Sequence, residues 1–279
     1  MKFTGLIKIK IRNTARGWRC DGIRHRKESV MIIITTWNLK GGVGKTTTTF
    51  NLAANYARNG MKILLIDLDM QANLTSFFDA DIARLKASKP DIAEIMLDVI
   101  PLRKGIYHSR FSNIDFVKGS NELTTLELKN INVLGRYLAD IADEYDMCMI
   151  DCHPDVSLTT ENALAISDLV LIPIILDGMS RDNLNLVTKE LISLENRCGE
   201  INFKIFVNQL RNLKSQKIIY RDLCENHDYS VMNTSIADCS AIKSALIRHK
   251  PLYMHKSRCP VNEDYSELAT EILESLEVK

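Results

Sequence analysis

A chain of 279 residues, 46% of them apolar, is long enough to bury a full hydrophobic core, and its formal net charge of +1 hides an uneven distribution. Residues 1–30 carry nine Lys and Arg against Asp21 and Glu28, net +7, whereas residues 31–279 carry 27 against 33 acids, net −6. No window approaches 18 uninterrupted apolar residues, and the apolar stretch 5–11 is broken by Lys8 and Lys10 with no small-residue cleavage site behind it, so neither a membrane-spanning helix nor a secretory signal is expected.

The first thirty residues read as a solvated basic tail or as an arm for nucleic acid or an acidic surface. Because Met31 opens directly onto a strand pattern, they also read as an upstream extension that the fold does not need, with residues 31–279 forming one domain. Short, mostly non-alternating apolar runs at 31–36, 63–66, 114–117, 147–150, 169–175 and 203–207 predict strands buried on both faces. Stretches with helical spacing at 47–58, 160–165 and 183–194 lie between them, which predicts an α/β, doubly wound and mostly parallel sheet. Residues 80–104 read as helices and loops. At 263–279, Tyr265, Leu268, Ala269, Ile272, Leu273 and Leu276 recur at helical spacing among six acids, predicting a helix packed on the domain. The seven cysteines (20, 148, 152, 198, 224, 239 and 259) contain no Cys-x-x-Cys pair, so a metal cluster is not expected, and free thiols in a reducing cytoplasm are.

Residues 40–47 read Lys-Gly-Gly-Val-Gly-Lys-Thr-Thr between a predicted strand and a predicted helix. Backbone N–H groups reach a phosphate only where a glycine-rich turn opens a helix, and Gly41, Gly42, Val43 and Gly44 supply that turn. Lys45 is suited to neutralising β and γ phosphates and the Thr46 hydroxyl to Mg²⁺, with Thr47 near the α phosphate. The usual P-loop spacing would put glycine where Leu39 stands; Lys40 is there beside it instead. Two carboxylates, Asp67 and Asp69, follow the second strand, and Asp151 ends the apolar run 147–150 in a Walker B arrangement.

This loop in this context resembles the deviant P-loop of the ParA/MinD superfamily, and partition ATPases of ParA/Soj type within it. The resemblance covers most of residues 31–276. It implies ATP and Mg²⁺ as ligands, slow hydrolysis without a stimulating partner, and an ATP-sandwich homodimer in which Lys40 reaches the neighbour's phosphates. By the same resemblance Asp69 positions the attacking water, Asp67 supports the Mg²⁺ shell together with Asp151, and Asn208 contacts adenine. Two positions depart from the pattern. Met70 stands where the family usually has proline, and Asp151-Cys152-His153-Pro154-Asp155 keeps only one proline of its Asp-x-Pro-Pro-Ser run. His153 is expected to pack or hydrogen-bond and not to act as a base. Residues 234–238 lack the family's Pro-Arg pair, which leaves the rest of the base pocket open.

The resemblance further implies nonspecific DNA binding, a DNA-bound adaptor of ParB type and a cytoplasmic, nucleoid-associated protein; the alternatives are a MinD-like positioning ATPase and a nucleotide-gated adaptor. Lys243, Arg248 and Lys250, with Lys256 and Arg258, lie in a window free of acids, and Arg211, Lys214, Lys217 and Arg221 in another. Each window is either a phosphate-tracking surface or a solvated helix face. The acidic C-terminal helix argues against anionic lipid as a partner. No helix-turn-helix has room ahead of Lys40, so operator recognition is not expected.

Overall fold

The structure, a computed structural model, describes residues 11–14, 17–20, 31–85, 88–128, 131–225 and 229–277. The expected dispensable extension therefore lies largely outside the described residues, apart from an antiparallel hairpin of β1 (Ile11–Thr14) and β2 (Gly17–Cys20). The domain then runs β3 (Ile32–Thr36), α1 (Lys45–Arg58), β4 (Ile63–Leu68), a 3₁₀ turn at Thr75–Phe78, α2 (Asp79–Ile82), α3 (Ile92–Met96), α4 (Leu102–Gly105), β5 (Ile106–His108) and β6 (Ile114–Val117). It continues through α5 (Val133–Ala139), β7 (Met147–Cys152), α6 (Leu158–Ile166), β8 (Leu169–Ile174), α7 (Ser180–Cys198), β9 (Phe203–Val207), α8 (Lys214–Glu225), α9 (Ser240–Ile247), α10 (Leu252–His255) and α11 (Val261–Glu277).

Seven strands form one sheet in the order β5-β6-β4-β7-β3-β8-β9, parallel throughout except for the antiparallel edge strand β5. Residues of β4, β7 and β8 are buried along their whole length, as continuous apolar runs demand when helices cover both faces. Alternate residues of each strand feed two cores. Leu64, Ile66, Cys148 and Ile150 face one core with α3, α5, α6 and α7, while Ile34, Leu65, Met147 and Met149 face the other with α1, α9 and α11. Pro173 is tolerated within β8 because pairing with β3 stops at Leu171, so no ladder bond on that side asks for its missing N–H.

The chain enters at β3, crosses to β4, and later returns with β7 between the two. Such a reversal opens a crevice at the carboxyl ends of the central strands. Register puts Thr36 beside Asp151 and Asp151 beside Asp67, so one row of the sheet's carboxyl edge carries a hydroxyl and two acids.

Behind that edge, α1 is clamped from two directions. Phe50 stacks on Phe77 at 4.2 Å between ring centroids and meets Phe78 and Phe111 edge-on. On the opposite flank the Tyr56 hydroxyl donates to the Ala269 carbonyl at 3.0 Å, and Asn55 Nδ2 to Ser266 Oγ at 2.9 Å, fixing α1 to α11. Phe50 is fully buried. Phe50→Ala is expected to cost about 3–5 kcal/mol, the usual range for emptying an aromatic site, read as a lowered urea midpoint at unchanged slope.

Candidate active site at the strand ends

The loop between β3 and α1 is shaped by two glycines in the left-handed region, Gly42 at φ 76° and Gly44 at φ 93°. Gly44 is also hemmed in: a Cβ built there would lie 2.2 Å from Asn208 Nδ2. No acidic residue sits in the first turn of α1, so nothing in the helix opposes an anion at its N-terminus. Lys45, the first residue of α1, is buried and its ammonium donates back into the loop, to the carbonyls of Asn38 at 3.2 Å and Lys40 at 3.3 Å. Burial lowers its pKa from the ordinary lysine value, against the opposing charges of Asp151 and Asp69.

Distant segments hold this loop in place. Asn38 Nδ2 donates to the Pro173 carbonyl at 2.8 Å and Asn183 Nδ2 to Asn38 Oδ1 at 2.9 Å. The Trp37 indole donates to the Asp155 carbonyl at 2.9 Å. Asn208 Nδ2 donates to the Val43 carbonyl at 2.7 Å while its Oδ1 accepts from the Gln209 N–H at 3.0 Å. The residue assigned to adenine on resemblance thus has its carboxamide engaged by the phosphate loop itself. Lys40, for which the sequence offers no use within one subunit, has an intrachain partner: its ammonium pairs with the Asp177 carboxylate after β8.

Asp151 is completely buried at the end of β7, and neither carboxylate oxygen has a hydrogen-bond partner. Burial raises its pKa well above the carboxylate range, and the charge of Asp67 adds to this; the Thr46 hydroxyl lies close enough to favour the ionised form without reaching bonding geometry, and Lys45 acts in the same sense. Asp67 is differently placed. Its Oδ2 accepts from the Thr75 N–H at 2.8 Å and the Thr75 hydroxyl at 2.7 Å, and its Oδ1 from the Asp69 N–H at 3.1 Å. Of the two acids expected around Mg²⁺, Asp151 alone has both oxygens uncommitted, while Asp67 fastens the turn after β4. Asp69 Oδ1 accepts from the Gln71 N–H at 2.9 Å and lies 2.8 Å from His153 Nδ1. The His153 contact joins residues 84 apart in sequence and carries no spacing signal.

Among the described residues no group of three or more His, Cys, Asp or Glu converges as a metal cage. That suits Mg²⁺, which binds through one or two carboxylates, waters and substrate phosphates. The orphaned Asp151 carboxylate beside Thr46 fits such an ion.

The basic windows differ. Lys243, Arg248 and Lys250 are exposed, as are Lys256 and Arg258, and none is ion-paired among the described residues. In the other window Arg211 Nε pairs with Asp238 at 2.7 Å, and Arg221 lies 3.9 Å from both Asp222 and Glu225. Among the described residues no helix is long and apolar enough to cross a membrane.

Comparison with known proteins fits this geometry. The family model described as an AAA domain (AAA_31) matches residues 31–207. The chain is 31% identical over 261 residues to the sporulation initiation inhibitor protein Soj of Bacillus subtilis, covering 86% of this chain and 97% of Soj. An uncharacterised protein of Mycobacterium tuberculosis is 33% identical over 172 residues, 59% of this chain, and there the match spans about half, 53%, of the relative's length. Among solved structures, a plasmid partition protein of Borrelia burgdorferi B31 bound to AMPPNP superposes with a TM-score of 0.73 at 25% identity, covering 88% of this chain and 97% of that one.

Two outcomes follow from the loop and its acids. Gly44→Ala, strained at φ 93° and colliding with Asn208, is expected to lower stability by at least about 1 kcal/mol in urea denaturation, whereas Gly41→Ala, with nothing within 4 Å, leaves the midpoint near wild type. Burial holds the Asp67 carboxyl up to about 6, so in the ligand-free protein the native state takes up a proton that the unfolded chain does not bind between about pH 4 and 6. This contribution favours the fold below about pH 4 and is lost as pH rises through 6. Asp67→Asn, uncharged throughout, is expected to flatten that part of the stability–pH profile measured by thermal melts.

Proposed function

Because this chain belongs to the ParA/Soj family of partition ATPases, we propose that it is an ATP-hydrolysing switch whose ATP-bound dimer holds nonspecific DNA and whose hydrolysis releases it. The observation that carries the hydrolytic reading is the Asp151 carboxylate, buried and unpartnered beside Thr46 and Lys45 at the mouth of an anion-ready loop. A bare carboxylate in that setting is stable as a site only when a cation answers it.

In this reading the N–H groups of residues 41–45 and the α1 terminus cradle the phosphates, and Lys45 leaves its carbonyl partners for the β and γ oxygens. Thr46 and Asp151 would hold Mg²⁺. Bound Mg²⁺ supplies charge neutralisation at the phosphate oxygens. Thr47 lies at the α phosphate. Asp69 orients the attacking water, since phosphoryl transfer depends on positioning and charge more than on proton abstraction. Lys40 exchanges Asp177 for the phosphates of the partner subunit, so the ion pair holds it in reserve in the single chain. Asn208 braces the loop on which the nucleotide rests and borders the base.

DNA contacts are assigned to Lys243, Arg248 and Lys250, whose charges no acid of the chain neutralises among the described residues. The window at 211–221 contributes less, because Arg211 is already paired with Asp238. A DNA-bound adaptor of ParB type would complete the cycle by stimulating hydrolysis.

The test is binding of random-sequence duplex DNA with ATP, ADP or no nucleotide across a salt series. Salt-sensitive binding is expected with ATP alone, lost in Lys40→Ala and in Lys45→Ala. Lys243→Ala is expected to reduce the slope of log affinity against log salt by about 0.9, one phosphate contact. Lack of DNA binding in every nucleotide state would overturn the partition reading and leave a nucleotide-gated adaptor.

A further inference from the structure

Two of the residues that depart from the family pattern, Met70 and His153, come together in space. Both line a small recess with Leu123 and Asp155, about 20 Å³ in volume, which is room for one water. His153 follows β7 and Asp69 follows β4, so the bond between them bridges the two acid-bearing turns on either side of the crevice. The His153 side chain is 19% exposed and that of Asp69 9%, a setting in which a bond of 2.8 Å keeps its strength.

An aspartate oxygen accepts, so Nδ1 of His153 carries the proton of this bond. On the aspartate, both bonds fall on Oδ1, one from His153 and one from the Gln71 N–H. Among the described residues none falls on Oδ2. A carboxylate held twice through one oxygen cannot swing about its terminal torsion, a torsion otherwise broad for Asp. Proline, which the family has at the position of His153, offers no such donor.

We propose that His153 is a positioning residue for hydrolysis: its Nδ1–H fixes Asp69 through Oδ1 and leaves Oδ2 as the oxygen that orients the attacking water. The proposal rests on the assignment of Asp69 to that water. It requires no proton transfer to the imidazole; the contribution is one of geometry, as for outer partners of catalytic groups generally.

Single-turnover ATP hydrolysis and the affinity of a fluorescent ATP analogue, measured on wild type, His153→Ala, His153→Asn and Asp69→Ala, test it. His153→Ala is expected to slow cleavage about tenfold, the low end for losing an outer partner, with nucleotide affinity within about twofold. The Nδ2–H of asparagine donates from nearly the place of imidazole Nδ1, so His153→Asn is expected to recover to within about threefold of wild type. Wild-type cleavage by His153→Ala, or equal loss in the alanine and asparagine variants, overturns the proposal while Asp69→Ala remains inactive. Wild-type cleavage by Asp69→Ala instead overturns the assignment of the water, and the proposal with it. Nitrogen NMR of wild-type His153 gives a readout independent of turnover: a protonated Nδ1 is expected, and a ring protonated only at Nε2 overturns the bond on which the proposal stands.

Discussion

Desolvating a carboxylate costs several kcal/mol unless charge or hydrogen bonds answer it, and Asp151 is desolvated completely with neither oxygen bonded. Its place is dictated by the register of the sheet: the row that pairs it with Thr36 on one side and Asp67 on the other lies at the ends of the three central strands. The apolar residues that bury β7 therefore also create the strain at its tip. Lys45 is drawn toward the same point from the first turn of α1, and its own burial makes it a reluctant cation there. Two ionisable groups that each suffer from burial, beside the glycine turn that joins β3 to α1, form a site suited to a polyanion and a cation together.

The surroundings are built to keep that site open in advance. Asn208 and Asn38 tie the loop to β9 and β8, Asp67 ties the turn after β4 through Thr75, and the Trp37 indole ties the end of β3 to the turn after β7. Each of these bonds satisfies a polar group that would otherwise be stranded at the rim of a dry core. They also remove freedom before a ligand arrives, so less of the binding free energy is lost to ordering the loop.

Most of this architecture was legible because it rests on local signals. Six strands announce themselves as apolar runs, since burial on both faces leaves no alternation to misread. The phosphate loop is legible because left-handed backbone at Gly42 and Gly44 requires that residue type. β5 escaped notice: it is three residues long, pairs at an edge, and ends in an exposed His108. α8 reads only as a basic window, because exposed Lys214, Lys217 and Arg221 dominate its polar face and Gln216 and Leu223 alone of its residues are fully buried. The starts of α6 and α7 came earlier than their apolar residues indicate, α6 because Ser157 caps it. What the sequence could not disclose were pairings across long separations: Lys40 with Asp177, Asp69 with His153, Asn208 with the loop. Spacing along a chain carries no information about such meetings, which arise only when strand order is known.

The bonds from Asn55 and Tyr56 to Ser266 and Ala269 join residues 211 and 213 positions apart, so the helix that opens with the phosphate loop leans on one made much later in synthesis. Closing a loop of that length is entropically expensive and slow relative to local contacts. During translation the glycine turn emerges early, yet its supporting helix has no rear wall until residues 261–277 have left the ribosome. Until those residues are available, α1 lacks the two hydrogen bonds that hold its outer flank in the folded domain.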